Sequence, residues 1–151
     1  MNKINFRLPR INRKATRQAV EEELQQLQYA LLTLPITHQP KVTATLQLVP
    51  VKPSNQFHSS TEDAAIKNAD AEIEKMSFIE QMVEAINRLP EEERSVIVKE
   101  YMDNSYTYNY EIYNDLGISE TKYYKLKGRA FLRLAIMLKV EVYDERRRER
   151  A

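Results

Sequence analysis

The sequence contains no cysteine. This absence excludes disulfide bonds, thiolate zinc sites and cysteine nucleophiles. No apolar run approaches the roughly 20 residues that a membrane-spanning helix requires. The first residues also lack the apolar core of a secretory signal peptide. We therefore expect a protein that makes no membrane contact and works in a reducing cytoplasm.

Glycine is scarce, with Gly117 and Gly128 as its two occurrences. A β-rich fold usually needs more glycine for its tight turns, and no glycine-rich phosphate loop can be built from two isolated glycines. Leu, Glu, Gln, Lys, Arg and Ala are abundant, and all of them favour helix. The 151 residues suffice for one ordinary domain or for a small domain with appendages. We predict an all-α protein.

Residues suited to catalysis or metal binding do not cluster. His38 and His58 are far apart, in a segment without neighbouring ligands, which argues against a metal site. The acids at 91–93 are better interpreted as the start of a helix, where the helix dipole stabilises negative charge, than as an acid–base pair. We predict a protein that is not an enzyme and that uses no metal or cofactor.

The net charge of +1 conceals a strong separation of charge along the chain. Residues 1–20 carry six bases and no acid, and residues 119–151 carry ten bases and five acids. Between them, residues 61–118 carry fourteen acids and five bases. Basic ends around an acidic middle suggest contact with a polyanion. A charge run that is merely solvated gives the same pattern, so charge alone leaves both interpretations open.

Residues 1–34 combine a basic segment with a predicted helix. From about Asn12 to Leu34, apolar residues recur at three- and four-residue steps, and Pro35 follows, which favours a helix that ends there. Residues 35–60 contain four prolines and several serines, which predicts a linker. Weak alternation from Lys41 to Val51 favours a short strand within this linker.

Residues 61–140 form the predicted helical domain, and residues 141–151 form a basic tail that either contacts phosphate or is solvated. The first helix of the domain begins at Ser60 or Thr61, where Thr61 is a suitable N-cap. Its apolar stripe predicts a core face in preference to a dimeric coiled coil, because no matching pattern of flanking charges accompanies it. The stripe consists of Ile66, Ala69, Ile73, Met76, Ile79, Val83 and Ile86. Leu89-Pro90 ends this helix, because proline disfavours helix at the residue before it and suits the start of the next one.

Two short helices joined by a glycine-containing turn follow, at about 107–139. The first helix runs from about Tyr108 to Leu116, and the second begins after Ser119 and continues toward Lys139. In the turn, Gly117 can take the left-handed conformation that ends a helix, and Ile118 can fill the angle between the helices. Ser119 can cap the second helix with its hydroxyl. This order is typical of the DNA-binding helix-turn-helix.

The second helix divides into two faces. The side predicted to face the core consists of Tyr123, Leu126, Ala130, Phe131 and Leu134, with 136–138 extending it. The side predicted to face outward consists of Glu120, Thr121, Tyr124, Lys125, Lys127 and Arg129. Such a helix can enter the major groove of double-stranded DNA with its first residues toward the base edges.

Three short motifs resemble region 4 of bacterial σ70-type factors, the domain that reads promoter DNA. They are Leu89-Pro90-Glu91-Glu92-Glu93-Arg94, Glu111-Ile112 and Leu116-Gly117-Ile118-Ser119. The whole chain also resembles the ArpU family of phage regulators. Further residues that carry this second likeness are Ser54-Asn55-Gln56-Phe57-His58-Ser59-Ser60-Thr61-Glu62-Asp63 and Lys122-Tyr123-Tyr124-Lys125-Leu126-Lys127. The resemblance implies control of late phage or prophage genes, such as lysis or packaging operons, in the cytoplasm of a bacterial host.

The same resemblance implies roles for single residues. The base-reading positions of region 4 correspond to Glu120, Thr121, Tyr124 and Lys125, and the backbone-contacting positions to Lys122, Lys127 and Arg129. Two residues depart from the family pattern. Tyr113 stands where the motif usually has a small residue, and Gly128 lies inside the recognition helix, where it costs about 1 kcal/mol relative to Ala. Tyr106, Tyr108 and Tyr124 are as well suited to DNA contact as to the rim of a small core.

The preferred interpretation is therefore a sequence-specific transcription regulator that binds double-stranded DNA and has RNA polymerase and further copies of itself as candidate partners. Two alternatives stay open. One is a DNA-packaging protein similar to a small terminase subunit, which also joins a helix-turn-helix to oligomerising helices. The other is a helical module whose basic helix binds an acidic protein.

Overall fold

The computed structural model describes residues 9–42, 46–48 and 62–144, and five α-helices dominate these residues. The helices are α1 (Arg13–Leu32), α2 (Glu62–Asn87), α3 (Glu91–Tyr101), α4 (Asn109–Asp115) and α5 (Glu120–Leu138). A 3-10 turn over Ile36–His38 and two short strands, β1 (Lys41–Val42) and β2 (Leu46–Gln47), lie between α1 and α2. The prediction of an all-α fold is confirmed.

Helix α1 forms where the leucine spacing predicts it. The Asn12 side chain caps its start by accepting a hydrogen bond from the Ala15 amide at 3.1 Å, which satisfies one of the donors that a helix start leaves open. Its buried stripe consists of Val20, Leu24, Leu27 and Leu31. The helix ends two residues before the predicted Leu34, because Thr33 caps it and the chain then turns at Pro35.

Helix α2 is only half packed. Ile79, Val83 and Ile86 are buried in the core, and Met76 packs against its edge. Toward the helix start, Ile73 is 67% exposed and Ala69 is exposed as well. The expectation of one continuous core face is therefore wrong for 69–73, because no described element covers this part of the helix. The predicted N-cap Thr61 and the side chain of Ile66 lie outside the described residues.

Part of the predicted linker is anchored to the helical core. Strands β1 and β2 pair antiparallel, with Lys41 opposite Gln47 and Val42 opposite Leu46. The Leu46 side chain is buried, and its backbone exchanges two hydrogen bonds with the Asn87 side chain at 2.7 and 2.8 Å. A pair of two-residue strands thus replaces the predicted single strand; residues 49–61 lie outside the described residues.

The core brings α1 and α5 together. Helices α1, α2, α3 and α5 contribute to one buried cluster, so α1 packs directly on α5. A second, smaller cluster holds α3, α4 and α5 together. The turn between α2 and α3 is closed by Arg94, whose guanidinium donates to the carbonyls of Asn87 and Leu89 at 3.0 and 3.1 Å. These two clusters fix α5 relative to the rest of the fold.

Candidate nucleic-acid interface

Helices α4 and α5 lie where the sequence predicts two helices joined by a glycine-containing turn. Tyr108 and Leu116 are the cap residues that flank α4, and Ser119 and Lys139 are those that flank α5. The Glu111 carboxylate accepts hydrogen bonds from the amides of Thr107 and Tyr108 at 2.8 and 3.1 Å. This contact satisfies backbone donors at the start of α4, as a glutamate at this position of a capping box does.

Each residue of the turn has the conformation or contact that the sequence predicts. Gly117 has a φ of 66°, in the region that favours glycine. Ile118 is half-buried against the smaller cluster. The Ser119 hydroxyl accepts from the Lys122 amide at 3.1 Å and so caps α5. The turn therefore sets the angle between the helices through its own chemistry.

The smaller cluster holds this angle from inside. Its buried members are Val96 from α3, Ile112 from α4, and Tyr123 and Leu126 from α5. Tyr113, which departs from the family pattern, is half-buried at the edge of the cluster, with its ring centroid 5.8 Å from that of Tyr123. The larger side chain is accommodated because it is only half-buried and packs against the ring of Tyr123.

The exposed face of α5 carries most of the predicted DNA-binding residues. The structure exposes Glu120, Thr121, Lys122, Tyr124, Lys125 and Arg129. Tyr124 is anchored edge-on against Tyr123, with 5.2 Å between the ring centroids. Lys122 lies 3.6 Å from the exposed Glu92 carboxylate, a contact that adds little stability at a surface. All six positions lie within the first three turns of the helix, from Glu120 to Arg129, so the face is continuous.

Lys127 does not belong to this face, and the prediction that it points outward is wrong. Its side chain is only 11% exposed, and its Nζ lies 2.8 Å from Glu100 Oε1. The ammonium also lies above the rings of Tyr101 and Phe131, at 5.6 and 5.5 Å from their centroids. The spacing contains the signal that was missed, because position 127 is four residues after Tyr123 and four before Phe131, both of which face the core.

A buried polar network fixes α5 against α1 and α3. The Tyr123 hydroxyl donates to Glu100 Oε2 at 2.8 Å, and the Tyr101 hydroxyl donates to Glu21 in α1. Burial, reinforced by these carboxylate contacts, raises the pKa of Tyr101 and of Tyr123 well above the usual range. Both tyrosines therefore remain neutral donors at physiological pH. Sequence reasoning missed this network, because Glu21 and Glu100 come together only when α1 packs on α3.

The other tyrosines divide between surface and core. Tyr108 and Tyr110 are exposed at the start of α4 and stack with ring centroids 5.6 Å apart and planes inclined by 9°. Tyr106 is half-buried against the smaller cluster, and Lys99 donates a hydrogen bond to its hydroxyl at 3.0 Å. Tyr108 and Tyr124 are therefore accessible to a ligand, and the Tyr106 hydroxyl is already bonded within the fold.

The end of α5 differs from the predicted inward face. Ile136 is 53% exposed, so the prediction that 136–138 all extend the core side is wrong for this residue. Met137 and Leu138 do pack against the core, and Ala135 is fully buried. The helix face rotates past Ile136 because 3.6 residues per turn place it opposite the 130–134 stripe.

Neither a metal site nor a membrane-spanning helix is found in residues 9–42, 46–48 and 62–144. No group of three or more histidine or acidic side chains in these ranges is arranged to hold a metal ion. None of the helices there combines the length and apolarity needed to cross a membrane.

The chain is similar over most of its length to proteins of phage origin. It is 34% identical to an uncharacterized phage-related protein of Listeria innocua over 137 residues, which are 91% of this chain and 96% of the relative. It is 29% identical to protein Gp66 of Listeria phage A118 over 105 residues, covering 70% of this chain and 72% of that protein. No family model and no solved structure matches the chain, so the likeness to ArpU proteins and to σ region 4 stays a prediction.

Proposed function

The chain belongs to the same family as the phage-related protein of Listeria innocua, and from this premise we propose that it is a sequence-specific regulator that binds double-stranded DNA. Its proposed targets are promoters or operators of late phage or prophage genes, such as those for lysis or packaging. The proposal assigns it no enzymatic activity and no cofactor. Its proposed place of action is the cytoplasm of the bacterial host.

The observation that carries the proposal is the exposed face of α5. This helix follows a Gly-Ile-Ser turn, is held by a buried network at its back, and presents Lys125 and Arg129 to solvent on its front. Neither side chain forms an ion pair with a described carboxylate. A rigid helix with unpaired cations on one face suits the major groove, which is wide enough for a helix and lined by phosphates.

The first turns of α5 supply side chains suited to reading bases. Lys125 can donate to the acceptors of guanine, Glu120 can accept from the amino group of cytosine, and Thr121 can contact the methyl group of thymine. Tyr124 adds a rigid ring between these positions. Arg129, further along the helix, is suited to phosphate because its guanidinium can form two parallel hydrogen bonds. These assignments exclude Lys127, which the fold holds inside.

RNA polymerase is the proposed protein partner. The likeness to σ region 4 supports it, and so does the excess of acids over 61–118, which leaves an acidic surface available after the basic helix is on DNA. A polymerase contact predicts that protection of a promoter by polymerase extends or strengthens when this protein is added. If polymerase gives the same footprint with and without this protein, the proposed DNA binding would still stand, but polymerase would be excluded as a partner.

The decisive experiment is footprinting on the phage or prophage locus that encodes the protein. We expect a discrete protected site upstream of a late operon, and selection from a randomised DNA pool should recover the same sequence. Protection that spreads evenly over the fragment, or no protection at all, would overturn the proposal of a sequence-specific regulator.

A DNA-packaging role is a second candidate, favoured by one observation. The exposed Ile73 lies on the half of α2 that no described element covers, and an assembly of several copies would bury such a position. A measurement of mass in solution separates the two candidates. A large ring indicates packaging, and a monomer or dimer indicates transcription.

A module that binds an acidic protein is the third possibility that the sequence leaves. It predicts DNA binding that is absent or insensitive to salt, because each phosphate contact imposes a dependence of affinity on salt concentration. A titration of DNA binding at increasing salt therefore separates it from the other two.

A further inference from the structure

A groove runs between the start of α1 and the exposed face of α5. It encloses a cavity of about 470 Å³. Its polar wall consists of Arg13 and Arg17 from α1 and Tyr124, Lys125 and Arg129 from α5. Its apolar floor consists of Ile11, Phe131 and Leu132. The groove thus adjoins the proposed DNA-reading face and shares Lys125 and Arg129 with it.

The charge of this groove is uncompensated. Arg13, Arg17, Lys125 and Arg129 are exposed, and none forms an ion pair with a carboxylate in the described part of the chain. Helix α1 also has no acid in its first turn, where negative charge would normally be favoured by the helix dipole. Four cations that line one groove repel each other, and an anionic ligand would relieve that repulsion.

The groove is built rather than accidental, because its walls are fixed. The Arg17 guanidinium lies above the Phe131 ring, 5.9 Å from its centroid. The start of α1 is held by the chain that follows α5, through hydrogen bonds from the Asn12 amide to the Val142 carbonyl at 2.8 Å and from the Val142 amide to the Thr16 hydroxyl at 2.9 Å. A side chain that is already held in place, as Arg17 is by Phe131, loses less entropy when it binds a ligand.

We propose that this groove binds the phosphate backbone of the DNA whose bases α5 reads, so that α1 contributes Arg13 and Arg17 to the interface. The inference rests on the proposed function and deepens it, because it adds a second, sequence-independent element to the recognition helix. Arginine suits phosphate through its planar, paired donors. The apolar floor suits the deoxyribose between successive phosphates, which presents carbon-bound hydrogens. Contacts of this kind position a protein on DNA without reading its sequence.

The test measures DNA binding by the full chain as a function of salt. The probes are a duplex of roughly 20 base pairs, about two helical turns, selected from a randomised pool by the unaltered protein, and a shuffled duplex of the same composition. We expect the double variant Arg13→Ala with Arg17→Ala to weaken binding of both duplexes roughly tenfold at moderate salt and to reduce the slope of log K against log salt by about 2, since each lost phosphate contact removes about 0.9. The preference for the selected duplex should be unchanged.

Three further variants separate the effect of charge in the groove from effects on folding and on the net charge of the chain. Arg13→Lys with Arg17→Lys keeps both positive charges and should keep the salt slope. Arg13→Ala alone removes an exposed side chain, keeps the Arg17 contact with Phe131, and should reduce the slope by about 1. It therefore tests the groove even if the double variant is destabilised by the loss of that contact. Lys41→Ala with Arg88→Ala removes the same charge from exposed positions outside the groove and should leave the slope nearly unchanged.

The outcomes distinguish this inference from the function on which it rests. If the unaltered chain prefers its selected duplex but the groove and control double variants have the same salt slope, the groove assignment is overturned and the regulator proposal stands. If the unaltered chain selects no duplex from the pool and does not bind the shuffled duplex, both proposals fail together. A loss of preference for the selected duplex in the Arg13 and Arg17 variants would also overturn the backbone assignment, because it would mean that these arginines read bases.

Discussion

Lys127 Nζ lies 2.8 Å from Glu100 Oε1, and the two side chains are only 11% and 15% exposed. A buried pair of this kind contributes little compared with an apolar replacement, but breaking it leaves an uncompensated charge. The pair therefore fixes α5 against α3. It also removes one of the basic residues of α5 from the proposed DNA-binding face.

Replacement of Lys127 by alanine should destabilise the fold by about 3 kcal/mol, because the Glu100 carboxylate stays buried without its partner. The free energy of unfolding in urea measures this loss. Lys125→Ala is the matched control on the same helix, and it should change stability by less than about 0.5 kcal/mol, as exposed positions usually do. The combined change Lys127→Met with Glu100→Gln should restore most of the loss. A Lys127→Ala variant as stable as the control would contradict the structural role.

The inward turn of Lys127 illustrates what a sequence pattern can establish. The Gly117-Ile118-Ser119 turn and the bounds of α4 and α5 were predictable because capping and left-handed glycine are local chemistry. The burial of a lysine was also implied by its helical position, but the usual preference of lysine for solvent outweighed the spacing. At Lys127 the periodicity decides which way the side chain points, and Glu100 compensates its charge.

The packing of α1 on α5 was not predictable from the sequence. Both helices show an apolar stripe, but periodicity identifies only the face to be buried and not the surface that covers it. The proline-rich segment between them favoured a separate N-terminal element, whereas Leu46 and Asn87 anchor part of that segment to the core. The basic groove arises from the same packing. It brings Arg17 to Phe131 across more than a hundred residues of sequence, so a linear pattern contains no sign of it.

Gly128→Ala should stabilise the fold by about 1 kcal/mol. The position lies inside α5, is exposed and has open space where a Cβ would be, so the substitution adds helix propensity without a steric cost. Gly117→Ala is the opposite control, because its φ of 66° disfavours any side chain, and it should destabilise by about 1 kcal/mol or more. Thermal unfolding of both variants measures the two changes in stability.

DNA binding by Gly128→Ala then tests why a glycine lies inside α5. If binding of the selected duplex falls while stability rises, the position needs close approach to the DNA backbone, as expected from its place in the groove wall. Unchanged binding would mean that the glycine contributes neither stability nor affinity. Each result is interpretable only beside the unfolding data, which establish that the variant is folded.

Stability should fall as pH rises above about 10, the ordinary pKa of tyrosine. The pKa of Tyr101 and of Tyr123 is raised in the folded protein, mainly by burial. The folded state then binds more protons than the unfolded state in this range, so the free energy of unfolding decreases with pH, by up to about 1.4 kcal/mol per pH unit for each tyrosine. Below pH 10 both states are protonated and these two residues contribute no slope.

Urea unfolding at several pH values between about 9 and 11 checks this dependence. The variant Tyr123→Phe should be less stable at neutral pH by about 1 kcal/mol, because Glu100 loses a donor, and should show a shallower decrease above pH 10. Tyr29 is exposed, so Tyr29→Phe removes a hydroxyl outside the core and serves as the matched control. The same alkaline slope in Tyr123→Phe and in the unaltered chain would contradict the assignment.

Lys125→Ala and Arg129→Ala should weaken DNA binding in different ways. Lys125 occupies a base-reading position in the proposed interface, so its loss should cost about 1–3 kcal/mol on the selected duplex and relax specificity at one base pair. Arg129 is assigned to phosphate, so its loss should weaken the selected and shuffled duplexes about equally and reduce the salt slope by about 1. Both side chains are exposed and unpaired among the described residues, so neither change should affect the unfolding free energy.

Binding to a panel of single-base variants of the selected duplex separates the two roles. Equal losses on every duplex for both substitutions would reduce α5 to a nonspecific basic surface and would move the source of any sequence preference to another part of the chain.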